Sequence, residues 1–317
     1  MKILITGGGG FLGYRLALAL LKRGALTNAD GKQEAVSQIV LMDTGFPAQT
    51  DPRLKCVKGD FTDAALLADA IGRDTGSVFH LAAVVSGGAE ADFDLGIRVN
   101  LDGTRGLLEA CRRQAQPPRY VFASSVAAFG GELPPVLDDT TTPNPQTSYG
   151  AHKVCGEYLA TDFSRKGYID GRSLRLPTIV VRAGKPNLAA SSFASGIIRE
   201  PLNGEISACP VGPETGVWLL SPVSGPTGQD EISPFSGSRM MPLANEDAAR
   251  LGLPARTTMV GSRKERPSMN PLRLKSVARY SPQTLCAPYE VCGLGVVESS
   301  STGGSSPPKA ATELANT

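Results

Sequence analysis

Four consecutive glycines, Gly7–Gly10, follow a compact apolar strand pattern (Lys2–Thr6) and lead into an amphipathic run from Phe11 to about Lys22. Gly13, one turn into that run, completes a G-x-x-G-x-x-G spacing at Gly7, Gly10 and Gly13. Few arrangements limit a fold so tightly. The chain must turn sharply at the end of a strand, approach another group closely, and then pack a helix against the strand it has left; a Cβ obstructs each step. A helix starting at Phe11-Leu12 aims its free N–H groups and the positive end of its dipole at the turn, which suits an anion such as a pyrophosphate. Four glycines in a row also serve as a flexible turn. The strand before them and the helix after them are what point to phosphate binding.

The pattern then repeats. Apolar runs at Ile39–Met42, Leu54–Lys58, Ser77–Ala82, Tyr120–Ala123 and Ser173–Val181 alternate with helical periodicity over Asp63–Ile71, Ile97–Cys111 and Tyr149–Lys166. Continuous apolar strands separated by helical crossovers predict a parallel sheet covered on both faces, hence an α/β, doubly wound fold. The polar stretch Ala25–Gln38 reads as an inserted loop. Asp43 ends the second strand, where a carboxylate suits the hydroxyls of an adenosine ribose; it lies beyond the usual spacing of about 20 residues, and the inserted loop absorbs the difference. A carboxylate there repels a 2′-phosphate and no Arg or Lys follows directly, so NAD is expected rather than NADP. Asp60, with Phe61, ends the third strand and is placed to meet the adenine edge, although a turn aspartate is an equally good reading.

Composition narrows the function. With 32 basic and 30 acidic side chains, the net charge of +2 gives no electrostatic reason to expect nucleic acid or an anionic membrane as partner. The 2 histidines, His80 and His152, make a His-based metal site an unlikely design, and no metal is expected. None of the 6 cysteines forms a C-x-x-C pair, and Cys111 and Cys155 fall in helical stretches, so buried reduced thiols are expected. No apolar run reaches the roughly 18 residues of a membrane span. A strand opening at Met1 leaves no leader before it, so a cytoplasmic, soluble protein is expected.

Tyr149 and Lys153 stand at i and i+4, on one face of a helix. A phenol with a pKa near 10 is a poor base at neutral pH, but a neighbouring ammonium favours the phenolate, which then takes the proton of an alcohol as hydride leaves its carbon. Such a pair is common in ordinary helices. Its weight comes from Ser124-Ser125, which end the Tyr120–Ala123 run at the carboxyl edge where doubly wound sheets bind ligands. One serine suits the substrate oxygen and the other an ordinary strand end; Ser125 is taken as the catalytic one.

Together, Thr6-Gly7 with Gly10 and Gly13, His80-Leu81-Ala82-Ala83, Asn100 within Val99–Thr104, Ser124-Ser125 and the Tyr149/Lys153 pair resemble the extended short-chain dehydrogenase/reductase superfamily, in its NAD-dependent epimerase/dehydratase branch. The resemblance runs from Met1 to about Arg182 and implies a Rossmann fold. It implies that Leu81, Ala82 and Ala83 pass under the cofactor, that Asn100 shapes the active-site helix, and that Pro177-Thr178-Ile179 lies against the nicotinamide. It also implies a homodimer through Ile97–Cys111 and Tyr149–Lys166. His80 is assigned no proton transfer.

A narrower resemblance, over Leu174–Arg182 and Ser191–Leu202, is to dehydrogenases that oxidise D-erythronate, a four-carbon sugar acid, beside its carboxylate. It implies D-erythronate and NAD going to 2-dehydro-D-erythronate and NADH. Arg182, Lys185 and Arg199 offer cations for a small acid, and Thr178 and Ser192 offer hydroxyls. A solvated surface arginine is the plain alternative for Arg199. Two other readings compete: a nucleotide-sugar epimerase or dehydratase, disfavoured by the short covering segment Ala183–Pro201, and a catalytically inactive NAD-binding protein.

The chain changes character near Pro222. Residues 1–182 read as an NAD-binding and catalytic domain, 183–222 as a substrate-covering segment, and 223–317 as a Ser/Pro-rich tail in place of a complete C-terminal substrate lobe. Leu243–Leu251 reads as one helix, no second strand series follows, and Glu298–Thr317 reads as disordered. So abrupt a change is what a shifted coding frame near Pro222 would produce.

Overall fold

The apolar runs become strands because each is buried on both sides. The computed structural model describes residues 1–222 apart from 29, 135–136, 138–140 and 213–214, together with the backbone of Met240–Pro242 and Leu272–Arg273. Strand β1 (Lys2–Thr6) leads through the glycine turn into α1 (Phe11–Arg23), then a hairpin of β2 (Ala25–Thr27) and β3 (Gln33–Ala35), β4 (Gln38–Asp43) and β5 (Leu54–Lys58). Helix α2 (Ala64–Ile71), β6 (Thr75–His80), the short helices α3 (Ser86–Ala91) and α4 (Phe93–Gly96), a wide π turn (Ile97–Asp102) and α5 (Gly103–Arg112) follow. Next come β7 (Arg119–Ser125), α6 (Ser148–Arg165), β8 (Asp170–Leu176), β9 (Thr178–Ile179), α7 (Phe193–Leu202), β10 (Gly216–Val217), β11 (Leu219–Leu220) and β12 (Met240–Pro242).

The main sheet is parallel, in the order β12-β8-β7-β6-β1-β4-β5. From β5 to β8 this is the doubly wound Rossmann arrangement, whose order reverses between β1 and β6; ligands bind in the crevice beyond the carboxyl ends at such a point. Strand alternation feeds two cores. Ile3, Ile5, Ile39 and Leu41 pack with Leu16, Ala17 and Leu20 of α1 on one face. Leu4, Val40, Met42 and Val78 pack with Leu67 of α2 and Leu107 and Leu108 of α5 on the other. Each such side chain contributes about 1.5–3 kcal/mol on burial, and one residue of register slip would exchange the two faces.

Several sequence expectations are corrected. Ala25–Gln38 is not a loop: its ends pair as the antiparallel hairpin β2–β3, with Gly31 at φ +79°. Three-residue strands are too short for alternation to declare itself, whereas Asp30-Gly31 is a turn signal. Ile97–Cys111 is not one regular helix, because its first six residues are wound wide. Ser173–Val181 is not one strand: β8 ends at Leu176, and beyond Pro177 the chain leaves the main sheet so that Thr178 and Ile179 pair with Leu219 and Leu220 of β11. Beyond Pro222, the short strand β12 runs parallel to β8, Met240 opposite Ser173. All four described cysteines are free, but only Cys111 is buried; Cys56, Cys155 and Cys209 are exposed. Cys155 lies on the outer face of α6, which its helical neighbourhood alone does not reveal. The readings of Leu243–Leu251, Glu298–Thr317, Cys286 and Cys292 lie outside the described residues. No helix among the described residues is long and apolar enough to cross a membrane.

Candidate active site

The glycine turn is built for close approach. Gly7 adopts φ +70°, and a Cβ on it would stand 2.8 Å from the Ala82 nitrogen; one on Gly13 would stand 2.1 Å from the Gly7 carbonyl oxygen. Gly10 is the N-cap of α1 and makes no side-chain cap, and no acidic residue lies in the first turn. The first N–H groups of α1, from Phe11 and Leu12 onward, therefore face the crevice without a side-chain acceptor, as a diphosphate requires. Asp43 closes the other wall: its Oδ2 accepts from the Gly9 N–H (3.1 Å) and its Oδ1 from the Thr44 N–H (2.7 Å). These features fit an NAD-type dinucleotide.

Asp60 accepts from the Thr62 N–H (2.9 Å) and pairs with Arg98 (3.1 Å), so its carboxylate serves a turn at the end of β5. The Phe61 ring is buried edge-on to His80, with centroids 5.3 Å apart. The main chain at Leu81 and Ala82 is drawn to β1: the Leu81 N–H donates to the Thr6 carbonyl (3.1 Å) and the Ala82 N–H to Thr6 Oγ1 (3.4 Å). Ala83 is half-buried beside them.

Beneath this wall lies a neutral relay that the sequence reading missed. His80 Nδ1 lies 2.6 Å from Thr6 Oγ1, and Nε2 lies 2.9 Å from Thr104 Oγ1. Thr104 spends its proton on the Asn100 carbonyl (2.7 Å), so it accepts from Nε2–H, and Nδ1 is left to accept from Thr6. Burial pushes the imidazole down to about 3, with the Lys153 ammonium adding to the effect, which keeps His80 neutral. Asn100 in turn clamps Val84, accepting from its N–H (2.8 Å) and donating to its carbonyl (3.0 Å). The wide turn at Ile97–Asp102 gives Asn100 this reach.

Ser125, Tyr149 and Lys153 converge beyond the carboxyl end of β7. Ser125 Oγ accepts from the Ala127 N–H (3.1 Å) and is the polar group that favours ionisation of the Tyr149 phenol, whereas Ser124, pointing to the opposite face of the strand, is buried against Glu157 of α6. Lys153 Nζ donates to the Ala123 carbonyl (2.7 Å) and stands 4.7 Å from the Phe122 ring centroid and 5.4 Å from that of Tyr149. Burial dominates both titrating groups. It pushes the phenol up to about 12, against the lowering by Ser125, and pulls the ammonium down to about 7, against the Glu157 carboxylate. The expected lowering of the phenol by its lysine neighbour is therefore outweighed in the protein alone, since desolvation penalises both charged forms. Helix α6 is set by Thr147, whose Oγ1 accepts from the Gly150 N–H (3.1 Å), and by Glu90 of α3, which accepts from the Ser148 N–H (2.5 Å).

The segment after β8 leaves the main sheet. Pro177 separates β8 from β9, and the Thr178 N–H donates to the Trp218 carbonyl (3.0 Å). Ser192 precedes α7 and accepts from the Asn187 N–H (3.4 Å). Arg199 donates to the Arg182 carbonyl (2.8 Å) and pairs with Glu200, so its guanidinium is held within the segment. Arg182 is held by its main chain, through Ser195 Oγ (3.0 Å). The segment is pinned to α3, which the sequence reading missed: the Ala190 N–H donates to Ser86 Oγ (2.9 Å) and the Gly87 N–H to the Leu188 carbonyl (2.9 Å). A separate groove of ≈ 420 Å³ between α2 and α5, lined by Leu67, Arg98 and Arg113 among others, contains none of Ser125, Tyr149 and Lys153.

Residues 3–218 match the NAD dependent epimerase/dehydratase family. The D-erythronate dehydrogenase of Cupriavidus necator is 61% identical over 223 residues, 70% of this chain and 68% of that protein. That of Haemophilus influenzae is 47% identical over 224 residues, 70% of this chain and 69% of that protein. Among solved structures, the nucleoside-diphosphate-sugar epimerase from Agrobacterium tumefaciens superposes with a TM-score of 0.61 at 42% identity, covering 71% of this chain and 66% of that one. The chain belongs to the NAD dependent epimerase/dehydratase family.

Proposed function

We propose that this protein is a dehydrogenase oxidising a small sugar acid with NAD, converting D-erythronate to 2-dehydro-D-erythronate. The carrying observation is the convergence of Ser125, Tyr149 and Lys153 beside a glycine turn that fits a dinucleotide, in a chain 61% identical to a D-erythronate dehydrogenase over 223 residues. Gly7, Gly10, Phe11, Leu12 and Gly13 hold the diphosphate; Asp43 takes the adenosine ribose, and Asp60 and Phe61 border the adenine. Leu81, Ala82, Ala83, Asn100 and Pro177 line the remainder, with Tyr149 and Lys153 on the nicotinamide side. When bound, oxidised NAD supplies the hydride acceptor and a positive ring charge.

Within the chain, Ser125 donates to the substrate oxygen, and Tyr149 takes the hydroxyl proton as the carbinol carbon becomes a carbonyl. Lys153 stabilises the phenolate by charge. Arg182 receives the substrate carboxylate, Thr178 and Ser192 its hydroxyls, and Arg199 acts through Arg182, whose backbone it holds. NADH absorbance on mixing the protein with NAD and D-erythronate tests the proposal. A rise with D-erythronate and not with D-threonate, L-threonate or a nucleotide sugar supports it, and no rise in protein that binds NAD refutes it.

The likeness to the epimerase structure at 42% identity favours a second reading, a nucleotide-sugar epimerase. Net NADH formation separates the two, because an epimerase regenerates its cofactor in each turnover. We further propose a homodimer through α5 and α6, where Tyr158 is exposed, to be tested by light scattering. The division at 182 and 222 is proposed with these assignments, and translating the source DNA in all frames tests the shifted-frame origin of 223–317.

A further inference from the structure

Below the candidate catalytic residues lies a buried charge pair that the reaction as described does not use. Glu157 and Arg175 are 0% and 2% exposed, and they meet through two hydrogen bonds, Nε to Oε1 (2.9 Å) and Nη2 to Oε2 (2.7 Å). Ser124 donates a third bond to Oε1, and the Arg175 guanidinium lies 4.7 Å from the centroid of the Phe129 ring. A pair buried so deeply is costly to desolvate, and replacing such pairs with apolar side chains is often neutral for stability or better. Stability is therefore a poor reason for its presence. Its position supplies another. Glu157 follows Lys153 as Lys153 follows Tyr149, so the three share one face of α6 at i, i+4 and i+8. The partners of Glu157 come from β7, through the residue preceding Ser125, and from β8, through the residue two before Pro177.

We propose that Glu157, held by Arg175 and Ser124, is a positioning residue for Lys153: its carboxylate is the counter-charge that keeps the buried lysine cationic, and its clamp sets α6 against the strand carrying Ser125. This rests on the reading of Tyr149 and Lys153 as the reacting pair. The groups facing Lys153 are consistent with it. On α6 they are Tyr149 and Glu157, on β7 the Ala123 carbonyl, and on β6 His80, neutral in its threonine relay; Arg175 on β8 acts through Glu157. Among the described residues, Glu157 is the charge that offsets the desolvation of Lys153.

The test is the titration of Lys153 in the full-length protein without cofactor, followed by NMR of ¹³C-labelled lysine and assigned with Lys153→Met. Glu157→Gln should lower the Lys153 midpoint by about one unit or more. Glu157→Gln with Arg175→Gln, which leaves no unpaired guanidinium beside Lys153, should bring it partly back while keeping it below the unaltered protein. If the single variant does not fold, the paired variant decides alone. A midpoint unchanged or raised in the folded variants overturns the proposal. In the rate profile, removing a nearby anion eases proton loss from either member of the Tyr149/Lys153 pair, so the acid limb should move to lower pH. Undiminished NADH formation by Tyr149→Phe would overturn the reading of the reacting pair, and it would leave the lysine titration as it stands.

Discussion

The two halves of the sheet stabilise their buried polar groups in opposite ways. On the β1–β6 side, His80 sits neutral between two threonine hydroxyls, and the relay ends in Asn100 gripping the Val84 backbone. On the β7–β8 side, Lys153, Glu157 and Arg175 are charged or titrating, and they lie beside Ser125 and Tyr149. Neutral hydrogen bonds suffice where, on the proposed reading, a wall must be held in shape for a diphosphate. On the same reading, charge is concentrated where a proton moves, and there the Glu157 carboxylate opposes the burial that dominates Lys153. Desolvation lowers both groups: His80 starts at 6.5 and is silenced at about 3, whereas Lys153 starts at 10.5 and is left near pH 7, where a small change in its surroundings decides its state.

The sharpest way to break this contrast is at Tyr149. Replacing Tyr149 by Phe should cut NADH formation by about 10²–10⁴-fold while NAD binding, followed by fluorescence quenching, is spared. Loss of both would move Tyr149 into the cofactor-holding half. Gly13→Val should act in the reverse sense. Its side chain would start from a Cβ 2.1 Å from the Gly7 carbonyl oxygen, so NAD binding should disappear and the melting temperature fall; a variant that binds NAD normally would show that the turn is not the cofactor's seat.

Stability against pH then separates the two titrating groups. The unfolded chain binds a proton on histidine near 6.5, while folded His80 resists it to about 3, so this contribution is intact above 6.5 and is lost as pH falls toward 3. Folded Lys153 releases its proton near 7 and the unfolded chain holds one to 10.5, so stability rises with pH across that window. Urea denaturation of His80→Gln should flatten the acid window, with a loss of about 1–3 kcal/mol at neutral pH from the broken relay. Lys153→Met should flatten the alkaline window. A variant that flattens neither window would remove that group from the account. The smallest effect is expected at Thr147→Ala, where losing the α6 cap should cost about 1 kcal/mol with little change in turnover.

What could be read along the chain was whatever a short stretch settles for itself. The strand–glycine–helix run required the turn at Gly7–Gly13, helical spacing placed Tyr149 beside Lys153, and apolar runs announced a sheet buried on both faces. Two-residue alternation also separated Ser124 from Ser125, though not which of them would face the tyrosine. The same helical spacing extends to Glu157, a signal that was present and went unread for want of a partner. Partners are what folding decides. Thr6 and His80 are 74 residues apart, and Glu157 and Arg175 are 18 apart on different elements. Those meetings depend on the register of parallel strands and on how far a helix slides along them, quantities that no local pattern encodes. Burial is decided in the same way: the desolvation that holds the Tyr149 phenol high and the Lys153 ammonium low comes from neighbours brought in from β6, β7 and β8, and it outweighs the pairing that their four-residue spacing suggests.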